Sequence, residues 1–554
     1  MGDRDDWEDI DDDVEMELQP DESEPGEDDS QSSVSEDDDV PMTVQPGLVR
    51  NILQTIADSV RPSGHESQAE DVEMNPNCSW DRLPYELSHK ILQTLAEDEA
   101  RSHLMAEYAV VCKAWQAEIE EVNFRTLAVK QSDLQQLDEY VTGRRRALLR
   151  HLWLQVELSE YSRRSRLVPE NEQDQEENNV KYSMALADLF KLLESWNTPE
   201  FWSSRNGRGI NLELSAFSPS DKRNLFGEAG LDADGNSRYF DSLLDFMLLV
   251  VPDPQGIHGL HMVEVVTSFS ILRRNFRNVS ATSLTPILRS LPRLQEVRFE
   301  PWQQVDQAAQ EDVDSELAGQ LPFWPTTLKR ISIFEHFGAF DQNDLWDTRI
   351  RFPFLAHGLR RLSTHLQDLS VSFAVDAKDF FQPWAAAACA PAPTAGPSQP
   401  CRWEHLRWLT LTSRMIAEVA FPDEINSLLR AAGLAAASSM PALQAMELYN
   451  ATRWDAGVFR FLVVDNTAVV SWTSTWEFRV AAAVRRVWRE VALARTRREP
   501  VVFDEVRMAD YKGGPEGFVH SELATRELVL HPSSSGDMMG DRPFPEPVLR
   551  LPAI

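Results

Sequence analysis

The chain contains few residues whose types and spacing could support catalysis or metal binding. Residues 232–236 (DADGN) alternate oxygen-bearing side chains as calcium loops do, but their glycine falls at the fourth position instead of the sixth. His258 and His261 stand three positions apart, with no cysteine or paired carboxylate at metal-ligand spacing around them. The motifs G-x-S-x-G, H-E-x-x-H and G-x-x-x-x-G-K-[ST] do not occur. We therefore predict a protein that is not an enzyme and uses neither a metal nor a cofactor. An enzyme whose catalytic residues assemble from distant positions is the least favoured alternative.

The distribution of charge argues against nucleic acid as a partner. The net charge is −35 at pH 7, and residues 1–40 contain 20 acidic residues and one basic residue, Arg4. Phosphate binding needs clustered lysine and arginine, which this balance does not supply. A segment so acidic and so poor in apolar residues repels itself and cannot form a core. We therefore predict a disordered acidic tail at the N-terminus.

Cysteine content and hydropathy indicate a reducing, aqueous compartment. The four cysteines are scattered and form no CxxC pair, so we expect neither a disulfide framework nor a zinc site. Because the N-terminal residues are acidic and lack an apolar stretch, we expect no signal peptide, and the longest strongly apolar run, residues 246–251, is far too short to cross a bilayer. The prediction is a cytoplasmic or nuclear protein without a membrane partner.

Residues 82–124 are predicted to form helices, because their apolar residues recur at helical spacing. Leu87, Ile91 and Leu95 stand at i, i+4 and i+8. A second stripe contains Leu104, Tyr108, Val111, Trp115 and Ile119. Pro84 suits the first turn of a helix, where its missing N–H leaves no partner unsatisfied. A segment this short buries too little surface to fold alone, so its apolar stripe should pack against something else.

The residues of this segment resemble the F-box, whose pattern runs Leu-Pro-x-Glu-Leu, then Ile-Leu, then Val-Cys-x-x-Trp. The matching positions are Leu83, Pro84, Glu86, Leu87, Ile91, Leu92, Val111, Cys112 and Trp115. The chain departs from the family in the middle, where EDEARSHLMAEYA replaces the usual Asp-Leu pair. The resemblance implies that these residues, Glu86 excepted, bind a Skp1-type adaptor and through it a cullin. The alternative is an ordinary amphipathic helical hairpin at the edge of a larger domain.

A unit L-x-x-Φ-x-Φ, in which Φ is apolar, recurs from about residue 150 onward. Its copies begin at Leu149, Leu260, Leu294, Leu328, Leu366, Leu406 and Leu443. The last six are separated by 34, 34, 38, 40 and 37 residues, and several follow a helix-like run. Near-constant spacing of helix, turn and strand predicts stacked repeats. The pattern resembles lengthened, degenerate leucine-rich repeats without their asparagine ladder; an unrelated α/β domain with similar strands is the alternative.

The predicted fold class is therefore α/β: a short helical F-box followed by an irregular leucine-rich-repeat-like solenoid. After the repeats, strands at 459–464 and 468–474 joined by Asp465 and Asn466, a helix at 476–494 and a strand at 500–508 suggest a C-terminal cap. The predicted domains are a disordered tail (1–78), an F-box-like domain (79–130), a connector (131–180), a repeat domain (181–458, with a flexible insertion at 385–402), a cap (459–530) and a flexible tail (531–554).

These expectations lead to a functional hypothesis, a substrate-recognition subunit of a Skp1–cullin–F-box ubiquitin ligase. The alternative is a repeat scaffold that binds proteins without ubiquitin machinery. In stacked repeats the residues between the Φ positions point away from the core, toward the usual binding face. Aromatic and arginine side chains are enriched at interface hot spots. We therefore predict that Arg298, Phe334, Trp408 and Tyr449 bind the unknown target protein, unless a C-terminal segment covers them as ordinary core.

Overall fold

The computed structural model describes residues 113–538, except for gaps, together with residues 87, 89–91 and 94. The gaps are residues 163–164, 166–167, 222–241, 248–258, 276, 303–306, 336–348, 390–400, 453, 498–502 and 509–514. All of the described residues belong to one compact unit, residues 79–554. Several predictions lie outside the described residues: the acidic tail, residues 232–236, His258 and most of the insertion. The same is true of Leu83, Pro84, Leu92, Val111 and Cys112.

The described residues form a mixed α/β structure around one large sheet. The strands are β1 (Thr126–Lys130), β2 (His151–Glu157), β3 (Ile210–Phe217), β4 (Leu243–Leu244), β5 (Val266–Ile271), β6 (Asn278–Val279), β7 (Glu296–Phe299), β8 (Arg330–Phe334), β9 (Asp368–Ser372), β10 (Trp408–Thr412), β11 (Ala445–Ala451), β12 (Ala456–Val464), β13 (Thr467–Ser474) and β14 (Phe503–Arg507). Twelve of these strands join one sheet in chain order, while β4 and β6 pair separately. Pairing within the large sheet is parallel from β1 to β11 and antiparallel on both sides of β12. Strand β14 is parallel to β13.

Helices connect most of the parallel strands. They are α1 (Lys113–Asn123), α2 (Leu134–Tyr140), α3 (Arg144–Leu148), α4 (Glu172–Glu194), α5 (Pro199–Ser204), α6 (Ala281–Arg289), α7 (Gln307–Gln320), α8 (Pro353–Leu362), α9 (Ala377–Phe380), α10 (Gln382–Cys389), α11 (Pro422–Ser439), α12 (Ala482–Thr496), α13 (Pro515–Glu522), α14 (Arg526–Val529) and α15 (Pro532–Met538). Three short 3₁₀ turns also occur, Gln131–Asp133, Leu321–Phe323 and Ser363–His365. None of the helices in the described part of the chain is long and apolar enough to cross a membrane.

The Φ residues of the repeated unit build the core on the helix-bearing face of the sheet. Neighbouring strands align them in register, as in the pairs Ile331–Leu369 and Leu369–Leu409. These side chains are buried together with apolar residues of the helices. Six of the seven predicted units, those beginning at residues 149, 294, 328, 366, 406 and 443, contain strands β2 and β7 to β11. The repeated pattern therefore predicted the positions of six strands of the parallel sheet correctly.

The unit predicted to begin at Leu260 is wrong. The strand starts at Val266, and the residues that align with its neighbours are Phe269 and Ile271. Val266, Phe269 and Ile271 have the same spacing as Leu260, Val263 and Val265, so the pattern fits twice within twelve residues. The first set is also buried, in the connection that precedes the strand. Glu264, expected between two strand positions, consequently lies outside the sheet.

The sheet also crosses the predicted domain boundaries at residues 130, 180 and 458. It begins at β1 and includes β3, two strands whose units start with Phe124 and Gly209 instead of leucine. Gly209 is required by close approach, because a Cβ there would lie 2.4 Å from Thr267 Cγ2 and 2.7 Å from the Val265 carbonyl oxygen. A search for leucine at the first position therefore missed these strands.

The C-terminal strands confirm the predicted hairpin. Strands β12 and β13 pair antiparallel through their full length around Asp465 and Asn466. Both turn residues have positive φ, 49° and 59°, as a tight hairpin turn requires. The helix predicted from residue 476 begins at Ala482 instead, because residues 475–481 connect β13 to α12.

Candidate recognition surface

The second face of the sheet carries the residues that alternate with the core positions, and we call it the outer face. From β7 to β11 it presents Arg298, Glu300, Ser332, Phe334, Ser370, Ser372, Thr410, Thr412, Glu447 and Tyr449. All ten of these residues are buried. Helices α13 to α15, which we call the C-terminal segment (residues 515–538), lie against them.

Aromatic side chains form one end of this contact. The ring of Tyr449 stacks on Phe518 of the C-terminal segment with centroids 6.1 Å apart. Phe373 joins Phe334 and Tyr449 edge to face, at 5.6 and 5.8 Å. Strand alternation alone would turn Phe373 into the helix-side core, but its φ of 62° turns it to the outer face. A left-handed conformation costs a phenylalanine on the order of 1–3 kcal/mol, and such strain is concentrated at functional sites.

Glu447 is the centre of the polar contacts. Its carboxylate accepts hydrogen bonds from the amides of Ala524 and Thr525 at 3.1 and 2.9 Å, and from the Thr525 hydroxyl at 2.5 Å. Arg460 of the neighbouring strand donates to the same carboxylate at 2.6 Å. The Thr410 hydroxyl donates to Thr525 Oγ1 at 2.8 Å. The segment is therefore held by side chains from three adjacent strands.

Arg298 and Glu300 hold the following turns of the segment. Arg298 donates to the carbonyl oxygens of Glu527 at 2.8 Å and Leu528 at 3.4 Å. Glu300 accepts from the amide of His531 at 2.9 Å and from the Ser534 hydroxyl. Most of these bonds go to main-chain groups, so the outer face holds the segment largely through its backbone.

Not every polar group beneath the segment is satisfied. The hydroxyl of Ser370 is fully buried between Ser332 and Thr410, and it has no hydrogen-bond partner among the described residues. By contrast, Ser332 donates to the Val529 carbonyl oxygen at 3.3 Å. A buried hydroxyl without a partner costs about 1–3 kcal/mol. The segment therefore fits this part of the outer face imperfectly.

Electrostatics disfavour a proton on His531. Burial of the imidazole and the nearby positive charge of Arg298 lower its pKa to about 4, against the opposing effect of Glu213. Glu213 itself is buried, and Arg274 donates to both of its carboxylate oxygens at 2.6 Å. Burial alone would raise the pKa of Glu213, but contacts with His151 and Arg274 lower it. Buried charges on this part of the outer face are therefore paired.

The predicted target-binding residues lie mostly beneath the segment. Phe334 and Tyr449 are 1% and 0% exposed, and Arg298 is buried against the segment's carbonyl groups. Trp408 is partly exposed at the start of β10. In this arrangement the first three residues contact the chain's own C-terminal segment, the alternative that the sequence had left open.

Three of the predicted adaptor-binding residues can be described. Ile91 and Trp115 are buried, whereas Leu87 is 43% exposed. His89 Nδ1 lies 2.5 Å from Glu118 Oε2, so the helical residue His89 contacts α1. Helix α1 is in turn fixed to the sheet domain, because Arg145 donates to Glu120 at 2.7 Å.

A separate ionic cluster lies at the C-terminal end of β8. Arg349 donates to Glu335 at 2.6 Å and to Asp314 at 2.7 Å, and all three side chains are buried. Burial and the charge of Glu335 raise the pKa of Asp314 to about 7, although Arg349 opposes the shift. The adjoining cavity measures about 40 Å³. This is room for roughly two to three water molecules, whereas small-molecule sites typically exceed about 300 Å³.

Sequence reasoning missed Phe373, Arg460, Phe518 and Thr525 as parts of this surface. Phe373 is outward only because of its backbone conformation, which its residue type does not signal. Glu447 within β11 and Glu300 directly after β7 offered a usable signal, because each is an acidic residue in a run that is otherwise suited to burial. Such a carboxylate needs a partner, but which residue of the C-terminal segment supplies that partner depends on the tertiary structure.

Part of the chain matches a known family. Residues 321–531 match a family of unknown function, DUF6546. The matched region contains strands β8 to β14 and most of the C-terminal segment that covers the outer face. No curated protein shows a significant match to the chain.

Proposed function

We propose that this protein is the substrate-recognition subunit of a Skp1–cullin–F-box ubiquitin ligase. The order and spacing of Leu83-Pro84, Ile91-Leu92 and Val111-Cys112-x-x-Trp115 support the proposal. The observation that carries it is the exposure of Leu87 beside the buried Ile91 and Trp115. An apolar side chain left exposed beside buried apolar residues suits a partner surface.

The sheet domain would be the arm that holds the target. We propose that it is a leucine-rich-repeat-like solenoid, because strands β1 to β11 of the large sheet follow one another in chain order and in parallel. In this role the protein performs no bond chemistry. It raises the effective concentration of a bound target near a charged conjugating enzyme. Helix α1, which Arg145 and Glu120 fix to the sheet domain, would transmit a defined geometry from adaptor to target.

The test is capture of a purified Skp1-type adaptor by the full-length chain. Leu87→Glu should reduce the bound adaptor at least tenfold with an unchanged melting temperature, because a charge replaces an exposed apolar contact. Met184→Glu is the matched control, since Met184 is another exposed apolar residue on a helix. Equal capture by the wild type and Leu87→Glu would contradict the proposal. Retention of a cullin without the adaptor, or of other partners alone, would favour a scaffold outside the ubiquitin system.

A further inference from the structure

We propose that the outer face between β7 and β12 is a peptide-binding surface, which the C-terminal segment occupies in competition with a segment of the target protein. The inference rests on the proposed function, because it assigns the part of the sheet that takes the target. The partner that fits is a turn-forming peptide with an aromatic residue followed seven positions later by serine or threonine. Phe518 and Thr525 have this spacing in the segment.

The contacts are those of a surface that recognises a peptide backbone. Arg298 binds the carbonyl oxygens of two consecutive residues, and Glu447 binds two consecutive amides. Every peptide carries such groups, so these contacts supply affinity without requiring one sequence. Specificity comes from the Thr525 hydroxyl on Glu447 and from the ring of Phe518 on Tyr449.

The composition of the contact differs from that of the core on the other face. The helix-side core is apolar, whereas charged and hydroxyl side chains occupy the centre of the outer face. Apolar contacts lie at one end, in a second cluster that joins Phe334 and Tyr449 to Phe518, Val519 and Leu523. A mixture of this kind is typical of interfaces that form and separate, and less so of a permanent core.

Ser370 gives a target an advantage over the segment. Its buried hydroxyl has no partner among the described residues, although the hydroxyls on both neighbouring strands bind the segment. A peptide that presents a carbonyl oxygen or hydroxyl above β9 would satisfy it. The segment compensates for its imperfect fit by tethering, because residues of the same chain reach effective concentrations on the order of millimolar. A better-fitting target segment can therefore displace it.

The experiment measures binding of a fluorescently labelled synthetic peptide, residues 515–538, to the full-length chain by anisotropy. Thr525→Glu in the chain should release its own segment, because it places a second carboxylate against buried Glu447. The peptide should then bind the Thr525→Glu chain at least tenfold more tightly than the wild type. Ser521→Glu is the matched control, since it changes the charge equally at an exposed position of the same segment and should behave as wild type.

Hydrogen exchange distinguishes release of the C-terminal segment from unfolding of the sheet. In the Thr525→Glu chain, residues 515–538 should lose protection while strands β7 to β12 retain theirs. The milder Thr525→Val should show the same effects to a smaller degree. Loss of protection throughout those strands, or no peptide binding to a chain whose segment is released, would overturn the proposal. Adding Arg298→Ala to the Thr525→Glu chain should abolish binding, and undiminished binding would place the peptide elsewhere.

Adaptor capture on the same variants separates this inference from the proposed function. If the wild type does not bind the adaptor but the Thr525→Glu chain binds the peptide, the ubiquitin-ligase role is refuted and the peptide-binding surface is supported. If the wild type binds the adaptor but the Thr525→Glu chain does not bind the peptide, the adaptor role is supported and the peptide-binding surface is refuted.

Discussion

Thr525 donates both its amide and its hydroxyl to the carboxylate of Glu447, 78 positions earlier in the chain, at 2.9 and 2.5 Å. The same carboxylate accepts a hydrogen bond from Arg460. Without the segment, Glu447 would keep Arg460 as its partner on the sheet and would face solvent. Docking therefore buries an ion pair that can exist without it, which is compatible with a reversible contact.

Truncation of the buried aromatic residues should reveal how much the segment contributes to stability. Phe334→Ala and Tyr449→Ala should each lower the free energy of unfolding by about 3–5 kcal/mol, because they empty fully buried sites in contact with the segment. Trp408→Ala, at a partly exposed position, should cost clearly less. Chemical denaturation of the three variants measures these losses in the free energy of unfolding. A larger loss for Trp408→Ala would contradict the placement of these side chains.

Acidification should weaken docking of the segment through His531. Its pKa is about 4 in the docked state against 6.5 when free, so the docked state disfavours the proton. The contribution is complete above pH 6.5 and falls by at most about 1.4 kcal/mol per pH unit as the pH drops from 6.5 toward 4. The groups that set the shift are Arg298, Glu213, His151 and Arg274.

The measurement compares the wild type with His531→Gln in unfolding experiments at pH 7.5 and 5.5. The wild type should lose stability relative to the variant at the lower pH. The amide of residue 531, which donates to Glu300, is kept in the variant, so the difference isolates the imidazole. Identical pH dependence in both proteins would show that docking does not lower the pKa of His531.

The sequence predicted the parallel sheet because apolar alternation is a local property that each strand carries by itself. It placed β7 to β11 and the Asp465–Asn466 turn correctly, since packing and turn geometry leave short-range patterns. It failed at β5, where two sets of residues with identical spacing follow each other and only one can pair with β3. Choosing between them requires the neighbouring strands.

Docking of the C-terminal segment could not be predicted in the same way. Arg298 and Glu527 are 229 positions apart, and their contact runs from a side chain to a carbonyl oxygen that any residue would offer. The outward direction of Phe373 depends on a φ of 62°, which phenylalanine rarely adopts. Backbone-directed contacts and strained conformations leave no periodic signal.

The ionic cluster beside the cavity should make stability depend on pH. Asp314 has a pKa of about 7 in the folded chain against 3.8 unfolded, so the folded chain holds its proton more tightly. This contribution is present at low pH and is lost as the pH rises through 7. Relative to Asp314→Asn, the wild type should therefore lose stability between pH 5 and pH 8, by at most about 1.4 kcal/mol per unit below pH 7.

Asp138→Asn controls for the loss of one carboxylate, because Asp138 is half exposed and pairs with Arg146 at the surface. A profile for Asp314→Asn that parallels the wild type would mean that Asp314 ionises normally between Arg349 and Glu335.

Two serines on adjacent strands should respond oppositely to the same substitution. Ser332→Ala removes the hydroxyl that binds the Val529 carbonyl oxygen, so it should lower the free energy of unfolding by about 1 kcal/mol. Ser370→Ala removes a fully buried hydroxyl with no partner among the described residues, so it should leave stability unchanged or raise it by about 1 kcal/mol. The two variants delete the same atom from the same face, so the volumes lost are equal and the difference reports hydrogen bonding alone.

Denaturant unfolding measures the change in the free energy of unfolding for each serine variant, and binding of the labelled peptide supplies a second readout. In a Thr525→Glu chain, Ser370→Ala should preserve binding of peptide 515–538 and Ser332→Ala should weaken it. Equal destabilisation by both substitutions would mean that Ser370 is satisfied, and that the segment fits the outer face as closely as a permanent core would.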